Sequence, residues 1–324
     1  MRGPESDRYA RQTALAEVGA GGQARLGAAT ALVVGAGGLG APVIQYLAGA
    51  GVRRLVIVDP DRVETTNLHR QTLFTESDLG RAKAEAAAGF AARLNGEVSV
   101  GAVVDRLDPA NVGRRLEGVD VALDCADSFA ASYTLSDACL ERGIPLISAS
   151  ALGREGYAGG FCGAAPSLRA VFPEMPERAA TCATAGVLGP VVGVLGSLQA
   201  QMALSVLLGL APSPLGLMVS MDAAMRFSRF RFDTAPEPPG GPRFVAPSQI
   251  RAEDFVVELR GEDEAPEPAA PGARRRVVED VGAGPLPAPG QRAVLACATG
   301  LRSWRAARRL ARVWDGEIVL VAAG

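Results

Sequence analysis

The sequence predicts an α/β protein with a mostly parallel sheet that is extended by antiparallel strands and followed by a small C-terminal α/β unit. Two observations predict this fold. From Thr30 to about Ser150, short β-rich runs alternate with helix-like segments, which is typical of a parallel sheet with helices on both faces. Beyond that region, glycine-rich and apolar runs favour antiparallel strands. The 324 residues, 48% of them hydrophobic, can fill a substantial core.

The elements follow in chain order. Strands and helices alternate through TALVVGAGG, GAPVIQYLAGAG, RRLVIVDPD, GRAKAEAAAGFAARLN, VSVGAVV, NVGRRLEG, VDVALDCAD, FAASYTLSDACLERG and IPLISASA. Antiparallel strands are predicted at GYAGGFCGAA and RAVFP, then a long helix after Cys182 and a closing hairpin at LGLMVSMDAAMRFSRFRF. The stretch DTAPEPPGGPRFVAP is rich in proline and glycine, which predicts no regular element. The predicted units are therefore a domain at 1–233, a linker at 234–247 and a second domain at 248–324.

Composition excludes several classes of protein. The net charge of -2, from 33 basic and 35 acidic side chains, gives no overall attraction to nucleic acid or to an anionic membrane. The polar N-terminus MRGPESDRYARQ lacks the apolar stretch of a signal peptide, and the apolar stretch Ala185 to Leu210 favours a buried helix over a membrane span. The five cysteines have no close pair and argue against a disulfide framework. We therefore expect a cytoplasmic protein with reduced thiols.

The first chemical motif is a glycine loop between a β-rich run and a helix. Gly35, Gly37 and Gly40 in VVGAGGLGAP permit a tight turn and bring backbone N–H groups close to a phosphate. Asp59 follows 24 residues after Gly35, where a Rossmann-like fold places the carboxylate that binds a ribose. These features alone leave a dinucleotide-dependent oxidoreductase as an alternative.

The residues after Asp59 favour a nucleoside triphosphate. They add Asp61, Asn67, Arg70 and Gln71, and then Lys83 at the start of the next helix. Cationic side chains neutralise a triphosphate directly, whereas a dinucleotide is held mainly through backbone groups. Asp127 in LDCADSF follows the fourth strand, at the sheet edge where open α/β proteins bind ligands, and is the candidate metal ligand.

The motifs together resemble a known family. They are RYARQ at 8–12, GAGGLG at 35–40, VDPDRVETTNLHRQ at 58–71, Gly80-x-x-Lys83, DCADSF, TCATAGVLGP at 181–190 and GSLQA at 196–200. In this combination and order, over roughly residues 8 to 232, the chain resembles the ThiF, MoeB and HesA family. Members of that family adenylate the C-terminal Gly-Gly carboxylate of a ubiquitin-fold sulfur-carrier protein.

The resemblance implies a role for each matching residue. The backbone of the glycine loop, at Gly38, would contact the phosphates of ATP, and Asp59 would hold the ribose. Asn67, Arg70 and Lys83 would surround the triphosphate, and Asp127 would hold Mg²⁺. Arg11 would reach into the site of a second protomer, which implies a homodimer. The carrier carboxylate would attack the α-phosphate in line and release pyrophosphate.

Two cysteines are candidate nucleophiles. Cys182 stands just before a helix N-terminus, which favours its thiolate, and in the family this cysteine forms a thioester or disulfide link with the carrier. The alternative is a small residue packed under the loop. Cys125, Cys139 and Cys162 fall in strands or helices and are expected in the core.

Cys297 begins the loop CATGLRS between a strand and a helix, where backbone N–H groups can surround one sulfur atom. This loop resembles that of rhodanese-like sulfurtransferases, which are fused to some members of the family. There the cysteine carries a persulfide, supplied by a sulfur donor such as a cysteine desulfurase, that attacks the acyl-adenylate and leads to a thiocarboxylate.

The chain departs from the resemblance in three places. Ser167 and Ala170 stand where a zinc-binding CxxC pair is usual and the second pair is absent, so we predict no zinc. DSF replaces a motif that usually has Asn after the Asp, and the rhodanese-like unit is reduced, with VELRGEDE in place of its usual Asp-x-Arg step. A non-catalytic scaffold that binds nucleotide and carrier is therefore a second alternative. The carrier and its pathway, whether molybdopterin, thiamine, cysteine, thiolated tRNA or a natural product, stay open.

Overall fold

A computed structural model describes residues 8–176 and 185–324 and contains two sheets. The larger sheet has eight strands in the order β3-β2-β1-β4-β5-β6-β7-β8. Its strands are β1 (Thr30–Val34), β2 (Arg54–Val58), β3 (Ser99–Val103), β4 (Val121–Asp124), β5 (Pro145–Leu152), β6 (Glu155–Cys162), β7 (Leu217–Met221) and β8 (Phe227–Arg231). β1 to β5 pair in parallel and the remaining pairs are antiparallel, which confirms the predicted sheet.

The helices of the first domain connect and cover these strands. They are α1 (Ala10–Thr13), α2 (Gly19–Leu26), α3 (Gly40–Gly49), α4 (Lys83–Leu94), α5 (Val112–Arg115), α6 (Phe129–Arg142), α7 (Leu168–Val171) and α8 (Gly189–Leu207). One strand prediction was wrong, because RAVFP contributes to the short helix α7. Ser167 caps that helix by accepting a hydrogen bond from the backbone nitrogen of Arg169, and a capped turn offers no edge for pairing.

The long helix α8 packs across the glycine-loop helix α3. Glycines make this approach possible: a Cβ at Gly38 would lie 2.8 Å from Val192 Cγ2, and one at Gly196 would overlap the carbonyl oxygen of Leu39. By length and composition alone α8 could also cross a bilayer. In this fold Leu195 and Met202 on one of its faces are buried in the main core, and Val194 is exposed.

The smaller sheet consists of parallel strands in the order β11-β10-β12-β13-β9. Its elements are β9 (Arg243–Phe244), β10 (Phe255–Glu258), β11 (Arg274–Arg275), β12 (Ala293–Cys297), α9 (Leu301–Leu310) and β13 (Ile318–Ala322). The predicted linker at 234–247 therefore does contain a regular element. β9 lies inside it and pairs with the last strand, so the second sheet begins before residue 248.

The two units share one hydrophobic core. Phe244, Trp304 and Leu320 from the second unit belong to the same buried cluster as Tyr133 and Leu146 from the first. The rings of Tyr133 and Trp304 have centroids 6.1 Å apart. Helix α9 therefore packs against α6, and the second unit has a fixed position on the first.

Candidate functional site

The glycine loop follows β1 at the carboxyl edge of the larger sheet. Gly35 has a φ of 97°, and a Cβ there would lie 2.5 Å from the carbonyl oxygen of Cys125, so only glycine fits. The first N–H groups of α3 receive no side-chain cap from the N-cap residue Leu39. An uncapped helix N-terminus after a tight glycine turn is a site for an anion such as a phosphate.

Asp59 anchors this loop from the end of β2. The carboxylate is buried and accepts hydrogen bonds from the backbone nitrogens of Ala36, at 2.7 Å, and Asp61, at 2.8 Å. Burial raises the pKa of Asp59, while these two hydrogen bonds and the nearby ammonium of Lys83 act in the opposite direction. The sequence placed Asp59 at a ribose site, and the structure adds that it fixes the glycine loop.

Lys83 and Asp61 form an ion pair beside Asp59. The Lys83 Nζ to Asp61 Oδ2 distance is 2.9 Å, and only 6% of Lys83 is exposed, whereas the Asp61 side chain is largely exposed. Asp61 therefore holds the Lys83 ammonium from the solvent side and keeps its charge close to the glycine loop. The guanidinium of Arg70 donates to the carbonyl oxygen of Thr66 at 2.9 Å and has no carboxylate partner among the described residues. Both cations remain available for a phosphate.

Gln71 is the strongest indication of a ligand site at the glycine loop. Only 3% of this residue is exposed, and its Oε1 has no hydrogen-bond partner among residues 8–176 and 185–324. Its Nε2 lies 3.7 Å from the position that a Cβ at Gly37 would occupy, so the amide faces the glycine loop. An unpartnered buried acceptor costs about 1–3 kcal/mol, which a bound ligand or its water could restore. Asn67 is also buried, but its Oδ1 already accepts from the backbone nitrogen of Glu64 at 3.1 Å.

Two carboxylates stand at the end of β4, and sequence reasoning selected one of them. Asp124, which it missed, is fully buried and accepts a hydrogen bond of 2.8 Å from Ser148 Oγ. Burial raises the pKa of Asp124 to about 6. Gln199 Nε2 donates to the backbone carbonyl of Asp124 at 2.8 Å, which gives the motif GSLQA a positioning role. Its position at the carboxyl end of a predicted strand is the signal that could have identified Asp124 as a candidate site residue.

Asp127 is the exposed member of the pair. Its carboxylate makes no hydrogen bond or ion pair with any residue in the described ranges. Neighbouring Ser128, and not Asp127, caps α6, by accepting a hydrogen bond from the backbone nitrogen of Ala131 at 3.5 Å. A free carboxylate at this edge fits one ligand of a Mg²⁺ ion whose other ligands are phosphates and water.

Arg11 lies away from this site. It is an exposed residue of α1, and its neighbour Gln12 donates to the carbonyl oxygen of Ala50, at the amino edge of the sheet. The five-residue β1 separates the two edges by roughly 16 Å. Within one chain Arg11 therefore does not join the site, and its action in a second protomer stays a prediction.

The second candidate centre surrounds Cys297 at the end of β12. Its Sγ accepts from the backbone nitrogens of Gly300, at 3.1 Å, and Ser303, at 3.4 Å, where α9 begins. This confirms that the loop folds around the sulfur atom. Cys297 is 0% exposed. The guanidinium of Arg302, which pairs with Glu264, lies close enough to the thiol to interact with it. The hydrogen bond with Glu264 is the main cause that raises the pKa of Arg302.

The remaining cysteines divide into two groups. Cys125, Cys139 and Cys162 are buried, as predicted, and burial raises the pKa of each thiol. Cys182 lies outside the described residues, so its nucleophilic role stays a prediction.

The position expected for zinc ligands holds a polar contact instead. Ser167 Oγ donates to Glu237 Oε2 at 2.6 Å, and the Ser167 backbone nitrogen donates to Oε1 of the same carboxylate at 2.5 Å. Among residues 8–176 and 185–324, no group of three or more His, Cys, Asp or Glu side chains is placed to hold a metal ion. The interaction ties the start of α7 to the segment that leads into the second unit.

Comparisons with known proteins identify the family of this chain. The family model described as the ThiF family matches residues 9–239. The SAMP-activating enzyme E1 of Haloferax volcanii is 44% identical over 236 residues, which is 72% of this chain and 87% of that protein. The adenylyltransferase and sulfurtransferase MOCS3 of Bos taurus is 47% identical over 227 residues, 68% of this chain and 49% of that protein. This chain thus spans about half the length of MOCS3.

Solved structures give the same fold. The crystal structure of E. coli MccB with ATP superposes with a TM-score of 0.60 at 22% identity, over 71% of this chain and 73% of that chain. The crystal structure of PaaA gives a TM-score of 0.60 at 19% identity, over 72% of this chain and 75% of that chain. At these identities the likeness concerns architecture alone, and it confirms the predicted α/β class.

Proposed function

This chain belongs to the ThiF family, and from that premise we propose that it adenylates the C-terminal Gly-Gly carboxylate of a ubiquitin-fold carrier with ATP and then transfers sulfur to it. The names of the relatives, a SAMP-activating E1 and an adenylyltransferase and sulfurtransferase, support this class of reaction. The observation that carries the proposal is the buried Lys83 beside the glycine loop, held toward it by Asp61.

The nucleotide would lie over the carboxyl edge of the larger sheet. The uncapped N-terminus of α3 would receive a phosphate, and Gln71 would satisfy its unpartnered oxygen with a donor from the nucleotide or its water. Lys83 and Arg70 would balance the triphosphate charge, which a dinucleotide does not require. The arrangement therefore favours ATP over the alternative of a dinucleotide-dependent oxidoreductase.

Adenylation would proceed by in-line attack. An oxygen of the carrier carboxylate forms a bond to the α-phosphorus, the bond to the bridging oxygen breaks, and pyrophosphate leaves. Lys83, which is buried, and Arg70 would stabilise the charge that gathers on the departing group, because cations that are already held in place lose little energy to reorientation. Mg²⁺ held by Asp127 would supply further charge neutralisation. An arginine from a second protomer, Arg11, would complete the site in a homodimer.

The second step would use the Cys297 centre. A sulfur donor, such as a cysteine desulfurase, would place one sulfane sulfur on Cys297. The two backbone N–H groups around Sγ and the N-terminus of α9 would stabilise the anion.

The test is formation of AMP and pyrophosphate from ATP when a carrier ending in Gly-Gly is added. Lys83→Ala and Asp127→Ala should each lower the rate by about 100-fold, in line with the loss of one charged group at a transition state. Unchanged rates in both variants would favour the scaffold alternative. NAD binding at micromolar concentration without AMP formation would favour the oxidoreductase.

A further inference from the structure

The Cys297 loop lies directly beside the helix that starts at the nucleotide site. A Cβ placed on Gly300 would be 3.6 Å from the Cβ of Ala130 and 2.6 Å from the ring of Phe244. Ala130 stands three residues after Asp127, in the first turn of α6. Gly300 in turn donates its N–H to the Cys297 sulfur. The two candidate centres of one chain are thus neighbours.

The distance between them has an upper limit. Three Cα steps of about 3.8 Å separate Asp127 from Ala130, and the contacts of 3.6 Å and 3.1 Å lead on to Sγ. With the covalent bonds within Ala130 and Gly300 included, the path from the Cα of Asp127 to Cys297 Sγ is at most about 23 Å. An extended chain advances about 3.3–3.6 Å per residue, so about seven residues of a carrier tail span this path.

The contact between the two units is fixed by polar as well as apolar groups. Arg169 Nε lies 2.6 Å from Asp137 Oδ1, and its guanidinium stands 5.8 Å from the centre of the Trp304 ring. Arg243 and Glu141 form another ion pair, at 2.6 Å. The segment between the units is tied down by the contact of Glu237 with Ser167. The second unit is therefore not joined to the first by a flexible linker that would let Cys297 reach a distant nucleotide site.

We propose that Cys297 serves the nucleotide site of its own chain, so that the adenylated tail passes from one centre to the other without release of the carrier. This inference rests on the proposed function and specifies its route. The chemical class of the passing group is an acyl-adenylate at the end of an extended, glycine-terminated peptide. The thiol is 0% exposed, so the surrounding loop, with the adjacent Arg302–Glu264 ion pair, must open to admit it.

Sulfur transfer from Cys297 to the carrier replaces the acyl–phosphate bond with an acyl–sulfur bond. The terminal sulfur of the Cys297 persulfide forms a bond to the acyl carbon, the bond from that carbon to the phosphate oxygen breaks, and AMP leaves. The product is an acyl disulfide between carrier and Cys297. A thiol reductant then attacks the Cys297 sulfur, which releases the carrier thiocarboxylate and leaves a mixed disulfide, and a second thiol returns Cys297 to the free thiol.

The test is complementation between two variants of the full chain. Lys83→Ala disables adenylation and Cys297→Ser disables sulfur transfer, each in a separate chain. The two are co-expressed with different affinity tags, and mixed assemblies are isolated over both tags. If the chains do not associate, they are combined at equal concentration. Thiocarboxylate on the carrier is measured by intact mass. The matched control joins a wild-type chain with a chain that carries both substitutions.

The control pair retains one intact chain and should give about half of the wild-type rate. The complementary pair should give less than about a tenth of the control rate, because no chain has both centres. Equal rates in the two pairs would overturn the proposal and show transfer between chains. A wild-type protein that releases AMP but never forms thiocarboxylate would instead refute the sulfur-transfer step of the proposed function, and this route with it.

Discussion

Lys83 and Asp61 form an ion pair in which the cation is buried and the carboxylate is exposed, with 2.9 Å between Nζ and Oδ2. Asp61 also donates its backbone N–H to Asp59, which in turn accepts from Ala36 in the glycine loop. The lysine, its counterion and the loop are thus one connected unit. The charge of Lys83 is held in place before any substrate arrives, which is the condition for electrostatic stabilisation of a leaving group.

The first prediction concerns this counterion. Asp61→Asn should lower the adenylation rate by about tenfold, because Lys83 keeps its charge but loses the partner that orients it. Lys83→Ala should lower the adenylation rate by more than Asp61→Asn does. Asp105→Asn is the matched control, since Asp105 is a half-exposed carboxylate that pairs with the largely buried Arg115 at 3.1 Å, beyond β3. Equal effects of Asp61→Asn and Asp105→Asn on AMP release would contradict the positioning role.

The second prediction concerns Gln71. Gln71→Met removes a buried acceptor that has no partner in the described part of the chain, so the free energy of unfolding of the ligand-free protein should stay within about 1 kcal/mol of wild type. The KM for ATP should rise by about tenfold, because the interaction lost is one made only with the ligand. Thermal unfolding with and without ATP separates the two effects. A large loss of stability without ATP, with an unchanged shift on adding ATP, would show a structural role.

The third prediction concerns Asp124 and pH. Its pKa is raised by burial to about 6, so the folded protein binds a proton more tightly at this group than the unfolded chain does. This contribution to stability is fully present below about pH 4 and is lost as the pH rises through about 6. In Asp124→Asn, whose side chain does not titrate, this loss of stability with rising pH should be absent.

Urea unfolding of wild type and Asp124→Asn between pH 4 and pH 7 tests this. The wild type should lose stability relative to the variant with rising pH, by on the order of 1–3 kcal/mol in total. Because other titrating groups are common to both proteins, the difference isolates Asp124. A difference that does not vary with pH would show that Asp124 is not protonated in the folded state.

The fourth prediction concerns access to Cys297. Glu264→Gln weakens the pair with Arg302 and should speed alkylation of Cys297 by iodoacetamide about two- to fivefold, the range expected for an exposed ion pair. Higher salt screens the ion pair and should therefore speed alkylation of the wild type. The same salt should speed alkylation of the variant less, because its pair is already weakened. Peptide mass spectrometry assigns the modification to Cys297 rather than to Cys182.

Glu279→Gln is the control for that experiment. Glu279 pairs with Arg305 on the same helix at 3.4 Å, and both side chains are exposed. Its loss should leave the alkylation rate unchanged, since this pair involves Arg305 and not the Arg302 that interacts with the thiol. If both variants react like the wild type, the cover over Cys297 is not held by Glu264.

Sequence reasoning succeeded where local rules decide the structure. Alternating β-rich and helical runs gave the parallel part of the larger sheet, and the glycine pattern located the loop after β1. The loop around Cys297 was likewise predictable, because a strand, a short glycine loop and a helix direct N–H groups toward one point. These features depend on neighbours close in the chain.

Sequence reasoning failed where contacts between residues far apart in the chain determine the structure. β9 forms in a segment rich in proline because Arg243 and Phe244 pair with β13, some 75 residues away, which no local pattern shows. Asp124 and Asp127 are alike in sequence, and their opposite exposure follows from packing against β5 and α8. The contact of Gly300 with Ala130 joins separate units and could not be predicted from either one.

The central claim is activation of a carrier carboxylate by ATP, and the most direct measurement is exchange of labelled pyrophosphate into ATP. Exchange should appear only with a carrier that ends in Gly-Gly, vanish with the same carrier lacking its last glycine, and fall about 100-fold in Lys83→Ala. It should persist in Cys297→Ser, because the sulfur centre acts after adenylation. Exchange at the full rate without any carrier, or none at all with one, would contradict the account.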